Sequence, residues 1–97
     1  MPRRKTMGDV LVTTANIMKP IAPMNGSHYT LVELQSYVGG YIETIYLNDK
    51  VLVVDEEGKL KGKLPNRIAT GWLLKDDTYN CDWIAGDALL IDKKHIK

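Results

Sequence analysis

The chain has 97 residues, of which 44% are hydrophobic and 26% charged, and its formal net charge is +1. This length suits one domain with a single core, and no apolar run approaches the ~20 residues that span a bilayer. Cys81 is the only cysteine, so an intrachain disulfide or a cysteine-based metal cluster is excluded.

The basic residues are concentrated at the two ends of the chain. The first five and last five residues contain six of the thirteen, whereas residues 6–92 contain seven basic and twelve acidic side chains. Duplex nucleic acid is therefore not an expected partner, because a duplex-binding surface needs lysines and arginines clustered on one face. We predict a flexible arm over residues 1–8, a single domain over 9–92 and a basic tail over 93–97. The basic start is followed by no apolar signal core, so we expect a cytoplasmic protein without a membrane partner.

The first predicted strand covers Asp9–Ile17, which is rich in Val, Leu and Thr. Pro20 and Pro23 follow, and each lacks the backbone donor of a central strand. The segment that contains them is therefore predicted to be a sheet edge or a loop.

The main predicted helix follows at about 30–38. Thr30 and Glu33 have the spacing of a capping box, and Tyr29 and Leu34 that of a hydrophobic staple. Leu31, Leu34 and Val38 form one apolar face. Gly39 suits the left-handed residue that ends a helix.

Two strands are predicted next, over Tyr41–Leu47 and Lys50–Asp55. The second contains an unbroken apolar run, which indicates a central strand covered on both faces. Gly58 is predicted to be the left-handed residue of a hairpin turn, and Lys59–Lys63 a short charged edge strand.

The last predicted elements are a short helix and a closing strand. The helix covers Pro65–Thr70. It can begin at Pro65 because proline is well tolerated in the first turn, and it is predicted to end at Gly71. The strand covers Trp83–Asp92, with a bend at Gly86, although Ala88–Asp92 alone also suits a helix.

Together these elements predict an α+β domain with a four- or five-stranded mixed or antiparallel sheet, a main helix and a short helix. So little helix would leave one face of the sheet open. We therefore expect a homo-oligomer in which a second copy covers that face.

Three motifs carry a resemblance to a known family: LxELQxxVGGYIE at residues 31–43, DEEGKLKGKLPNRIA at 55–69 and DWIAGDALLID at 82–92. Together they resemble a small domain-of-unknown-function family found in phage, plasmid and other mobile-element genes. The resemblance covers roughly residues 30–92. It implies an accessory gene that manipulates the host or protects against it, but no established activity.

The sequence offers little for catalysis. His28 and His95 have no Ser-His or Cys-His partner at a useful spacing, and neither a phosphate-binding glycine loop nor a metal-ligand pattern occurs. The acidic run that begins at Asp55 is better explained by a solvated turn than by a calcium loop. We expect no enzyme activity, no cofactor and no metal.

A binding site is the remaining hypothesis. Gly39 and Gly40 would let a ligand approach backbone N–H groups, and Tyr41 offers a ring for stacking. Arg67, near Asn66, can pair with phosphate or carboxylate of a ligand, although a pairing with Glu43 within the protein is the simpler explanation. The candidate site residues are Gly39, Gly40, Tyr41, Glu43, Asn66 and Arg67.

These observations favour a non-enzymatic accessory protein of a phage or mobile element. Such a protein would bind a host protein or sequester a small anionic ligand, such as a nucleotide signal, to counter host defence. The alternatives are a protein–protein interaction module without a ligand, in which Tyr41, Tyr46 and the two tryptophans make the contact, and a small hydrolase or nucleic-acid-associated protein.

Overall fold

The computed structural model describes residues 8–48, 50–75 and 82–96, which form a five-stranded antiparallel sheet and two α-helices. In chain order the elements are β1 (Val10–Val12), β2 (Met18–Pro20), α1 (Leu31–Val38), β3 (Ile42–Leu47), β4 (Lys50–Asp55), α2 (Arg67–Leu74) and β5 (Ala88–Asp92). The strand order is β2-β1-β5-β4-β3. The predicted α+β class is confirmed. Cys81 lies outside the described residues.

The core is built on β4 and β5, which are paired along most of their length. Val51 is opposite Ile91, and Leu52 is opposite Leu90. Alternate side chains of a strand point to opposite faces, so the apolar run of β4 supplies two cores at once. Leu52 contributes to one cluster and Val51 to the other. The prediction that Lys50–Asp55 is covered on both faces is confirmed.

Helix α1 begins and ends where its sequence predicts. The Thr30 side chain accepts from the backbone N–H of Glu33, whose carboxylate accepts from the N–H of Thr30, and Gly39 is left-handed with a φ of 80°. The predicted apolar face is wrong at Leu31, which is 57% exposed. Tyr29 fills the cluster at this end of the helix instead, together with Leu34.

Helix α2 differs from its predicted range of Pro65–Thr70. Pro65 lies outside it and forms an isolated bridge with Ala85, and Asn66 is the N-cap. The helix continues through Gly71 to Leu74, because the buried side chains of Ala69 and Leu73 hold it against the sheet. Gly71 is exposed, so it costs the helix only about 1 kcal/mol relative to alanine.

The two helices pack on opposite faces of the sheet. α1 contributes to the cluster that contains Val51, and α2 to the cluster that contains Leu52. The part of the chain that the structure describes therefore has no face without a helix. The homo-oligomer was expected because one face of the sheet would be open, and that reason does not apply to this fold. The homo-oligomer itself stays a prediction.

Three further segments differ from their predicted structure. The predicted strand Asp9–Ile17 is interrupted after Val12, because the Thr13 hydroxyl accepts from the N–H groups of Ala15 and Ile17 and closes a turn. The chain then returns as β2, so the prediction of an edge at the proline-containing segment is confirmed.

Lys59–Lys63 forms turns and not an edge strand, and Gly58 is not left-handed. The space at Gly58 is the reason for a glycine there, because a Cβ would lie 2.5 Å from the carbonyl oxygen of Ala85. The predicted strand Trp83–Asp92 is regular only from Ala88, since the Asp87 carboxylate accepts from the N–H of Thr14 outside the ladder. Ala88–Asp92 is a strand and not a helix.

Residues 93–96 pack against the domain. Lys93–His95 forms a 3-10 helix, Asp92 caps it, and Ile96 packs against the cluster that contains Val51. The carbonyl oxygen of His95 accepts from the N–H of Tyr29. The end of the chain thus lies beside the start of α1.

Asn66 allows a direct test of this packing. Its Oδ1 caps α2 at the N–H of Ala69, and its Nδ2 donates to the carbonyl oxygens of Val12 and Gly86. Asn66→Ala removes the cap and leaves two buried carbonyl groups without this donor. We expect a loss of about 2–4 kcal/mol in the free energy of unfolding, measured by urea denaturation.

Asn25→Ala is the matched control, because Asn25 accepts from the N–H groups of Ser27 and His28 in an exposed turn. This variant should lose less than about 1 kcal/mol. Equal losses in the two variants would contradict the role assigned to Asn66.

Candidate functional site

The glycine pair of the predicted site is occupied by the protein's own side chains. Lys63 Nζ donates to the carbonyl oxygen of Val38 at 2.8 Å, and Lys61 Nζ to that of Gly39 at 3.3 Å. Both lysines thus satisfy carbonyl groups at the end of α1. A Cβ at Gly40 would displace Lys61 Nζ and would lie 3.0 Å from Oδ2 of Asp55. The space beside Gly40 is thus filled by the protein's own charged groups.

Asp55 holds the two lysines in place. Its side chain is fully buried, and its Oδ2 accepts from Lys61 Nζ at 2.9 Å and from Lys63 Nζ at 2.5 Å. Burial by itself would raise the pKa of Asp55, but the hydrogen bonds from the lysines and from the N–H of Glu57 outweigh it and lower the pKa to about 2. Asp55, Lys61 and Lys63 therefore form a structural ion-pair cluster.

The other predicted site residues lie in different surroundings. Tyr41 is 67% exposed, just before β3. Glu43 is exposed on the α2 side of the sheet, since Ile45 and Leu47, its alternate neighbours, pack on that face. Asn66 is buried in its capping role, which leaves Arg67 as the exposed member of that pair.

Glu43 and Arg67 border two shallow depressions that share Trp83. Among the described residues no ion pair joins Glu43 to Arg67. The six residues thus form no common cluster: the two glycines lie at the end of α1, Asn66 is inside the core, and Arg67 is at the surface of α2.

A second buried carboxylate, Asp9, builds a different site. Its Oδ2 accepts from the Tyr29 hydroxyl at 2.8 Å and contacts His95 Nδ1 at 2.6 Å, and its Oδ1 accepts from the N–H of Asp92 at 2.9 Å. This contact engages Nδ1 of His95, so Nε2 is the ring nitrogen left for another partner. Asp9 thereby fixes the orientation of the imidazole.

Tyr29 supports this arrangement as a neutral donor. Desolvation raises the pKa of its hydroxyl, and the hydrogen bond to Asp9 and the charge of that carboxylate raise it further. The Tyr29 ring also meets the His95 ring edge to face, with the centroids 6.1 Å apart. The tyrosine therefore holds Asp9 from the side of the core.

A groove of about 490 Å³ lies on the other side of His95. Its polar lining includes Asp9, Lys50, Asp92, Lys94 and His95. The pKa of Asp92 is lowered, most strongly by the hydrogen bond from the N–H of Lys94, and electrostatic interactions with Lys94, Lys50 and His95 lower it further. The side chains of Lys50, Lys94 and His95 thus bring three nitrogen groups to the lining of one groove.

The chain signals this site only in part. Asp92 followed by Lys94 has the spacing of a side-chain turn, which indicates an ordered structure where the sequence predicts a tail. Nothing in the sequence places Asp9 beside His95, because they are 86 residues apart and meet only through the pairing of β1 with β5. The sequence therefore does not identify Asp9, Tyr29 and His95 as residues of one site.

Neither a metal centre nor a membrane span is found in the described ranges. No group of three or more His, Cys, Asp or Glu residues there can hold a metal ion. Nor does any helix in those ranges have the length and hydrophobicity needed to cross a bilayer.

Fold and groove together define a small α+β domain with an imidazole-lined surface groove. The model of DUF3846, a domain of unknown function, matches residues 7–96, and the chain belongs to that family. Comparison with curated proteins and with solved structures found no significant match. The match confirms that this is a domain of unknown function and covers more of the chain than the motifs in residues 30–92.

The Asp55 cluster predicts a specific dependence of stability on acid. The pKa of Asp55 is lower in the folded protein than its ordinary value of 3.8. The ionised Asp55 therefore contributes fully to the free energy of unfolding above about pH 4, and this contribution is lost as the pH falls towards 2. We expect the stability difference between wild type and Asp55→Asn to shrink by about 2 kcal/mol between pH 5 and pH 2.

The measurement is urea denaturation at a series of pH values. Glu56→Gln serves as the control, because Glu56 is an exposed acidic neighbour in the same turn. Its stability should run parallel to that of wild type over the whole range. A constant difference for Asp55→Asn would show that the carboxylate is not stabilised by its lysines.

Proposed function

We propose that this protein is a non-enzymatic accessory protein that binds a small anionic ligand in the groove beside His95. The convergence of Lys50, Lys94 and His95 on this groove is the observation that carries the proposal. Ammonium groups and a protonated imidazole are the side chains that bind phosphate or carboxylate through charge-assisted hydrogen bonds.

The size and mixed polarity of the groove favour a ligand of nucleotide size. A volume of about 490 Å³ falls within the range of small-molecule sites, roughly 300–1,000 Å³. Lys50 and Lys94 would contact the anionic group, and the carboxylate of Asp92 can accept from an N–H donor elsewhere in the same ligand. A nucleotide carries both kinds of group.

The surroundings of His95 favour binding over nucleophilic catalysis. Within the described residues, the imidazole is hydrogen-bonded to Asp9, and no Ser, Thr or Cys side chain is hydrogen-bonded to it. An oriented histidine without a nucleophile beside it can still bind an anion through Nε2–H when it is protonated.

The biological setting comes from the motif resemblance described above. A gene of a phage or mobile element that binds a nucleotide signal would sequester it and so counter a host defence that depends on it. In this proposal the protein acts in the host cytoplasm by mass action, and the number of binding sites matters more than turnover.

An apolar patch supports a second candidate function, the binding of a host protein. Leu74 and Trp83 are 48% and 41% exposed, and Arg67 borders the same depression. Tryptophan and arginine are the side chains most enriched at the energetic centres of protein interfaces. The patch lies on the α2 side of the molecule.

Site-directed variants test the groove. We expect native mass spectrometry of protein purified from its host to retain a small anionic molecule, and calorimetry to detect binding of a mononucleotide or a cyclic dinucleotide. Lys94→Ala and Lys50→Ala should each weaken that binding by about tenfold or more, because each removes one charge-assisted contact.

The controls are Lys75→Ala, which removes an exposed lysine at the end of α2, and Arg67→Ala. Both should bind as wild type does. Loss of binding in Arg67→Ala with retention in Lys94→Ala would transfer the site to the residues predicted from the sequence. An empty protein that instead captures a host partner through the Trp83 patch would favour the second candidate.

A further inference from the structure

Strand β3 is an edge of the sheet whose outward hydrogen-bonding groups can be identified. The carbonyl oxygen of Tyr41 accepts from the N–H of Glu56, and the register continues with Ile42 opposite Asp55. Hydrogen-bonded and non-hydrogen-bonded pairs alternate along an antiparallel ladder. The N–H and C=O groups of Ile42, Thr44 and Tyr46 therefore point away from β4.

The two edges of the sheet differ in their protection against further pairing. β2, at the opposite edge, has three residues and includes Lys19 and Pro20, which are typical devices against edge pairing. β3 has six residues, IETIYL, without lysine, proline or a bulge in its register. A long edge without these devices is a template for another strand.

The side chains that the outward-facing residues of β3 present beside this edge are uncharged, and the Lys93 Nζ lies over the Tyr46 ring, 5.9 Å from its centroid. Ile42, Thr44 and Tyr46 lie on the face of α1 and line a groove of about 530 Å³ between that helix and β3. Tyr46 is 50% exposed, and Leu31, across the groove, is 57% exposed. Pairing of β3 with another strand would cover part of this surface.

We propose that β3 pairs antiparallel with β3 of a second copy of this chain, with the two-fold axis at Thr44. In this register Ile42 lies opposite Tyr46 of the second copy, and Thr44 lies opposite its own counterpart. All the outward residues are then used, and each such pair exchanges two backbone hydrogen bonds. The two sheets become one continuous sheet, as in an isologous dimer.

Self-complementarity is the reason to prefer a second copy to a foreign strand. The register matches a β-branched residue with an aromatic one twice, a favourable cross-strand combination. It also places Glu43 opposite Ile45 of the second copy, whereas an axis at Glu43 would bring two carboxylates directly opposite each other. This register is therefore the symmetric one that pairs all the outward N–H and C=O groups of β3 and keeps the two Glu43 carboxylates from lying opposite each other.

Proline and lysine substitutions at Thr44 test the interface. The N–H of Thr44 points outward, so Thr44→Pro removes no hydrogen bond between β3 and β4 but blocks the pairing with a second copy. We expect a dimer mass for wild type by light scattering at about 100 μM protein, a concentration at which even a Kd of about 10 μM leaves most chains paired. Thr44→Pro should be a monomer with an unchanged circular dichroism spectrum, and Thr44→Val should be a dimer.

If Thr44→Pro does not fold, Thr44→Lys gives the same test, because it places two lysines directly opposite each other at the two-fold axis.

A disulfide tests the register. In a Cys81→Ser background, Thr44→Cys should form a covalent dimer on mild oxidation, because Cα atoms of a hydrogen-bonded pair lie about 5.5 Å apart, within disulfide range. Glu43→Cys is the control and should cross-link much less. A monomeric wild type, or a dimer that survives both Thr44→Pro and Thr44→Lys, would overturn the proposed interface. Faster cross-linking of Glu43→Cys would overturn the register. These readouts do not involve the groove beside His95, so they stand or fall independently of ligand binding.

Discussion

The Asp9 carboxylate is the constraint on which much of the structure depends. It accepts from Tyr29, which precedes α1, contacts His95, which follows β5, and itself precedes β1. Burial of an unpaired carboxylate would cost several kcal/mol, so the fold must bring these donors to it. The same requirement aligns the imidazole at the groove. One buried charge therefore joins three separate parts of the chain and creates the candidate site.

The second buried carboxylate, Asp55, is satisfied in a different way. Two lysines from the turn that follows β4 surround it, and both also reach carbonyl oxygens at the end of α1. These charges are engaged within the protein and occupy the space beside Gly40. In the Asp9 site, by contrast, a tyrosine hydroxyl, an imidazole and the backbone N–H of Asp92 satisfy the carboxylate. The two buried carboxylates are thus satisfied by different kinds of donor.

How much the sequence could predict follows from the range of the interactions involved. The capping box of α1 and the apolar run of β4 depend on neighbours a few residues away, and both are confirmed. The end of α2 could not be predicted from Gly71, because burial of Leu73 outweighs the low helix propensity of an exposed glycine. The prediction of a left-handed Gly58 is wrong because the contact with Ala85 requires the small size of this residue and not a positive φ angle. Asp9 and His95 meet only after the strands pair, so no local pattern could have predicted that part of the candidate site.

The two proposals use different parts of one sheet, and strand order explains why they are compatible. The groove beside His95 is built around the ends of the inner strands β1, β4 and β5, whereas the proposed dimer uses the outer strand β3. Pairing at β3 would extend the sheet without inserting a strand between β1 and β5, so the contacts of Asp9 would stay in place. A dimer formed at that edge would then carry two grooves related by the two-fold axis. For a protein that works by sequestering a ligand, this would double the sites per particle without any change at His95.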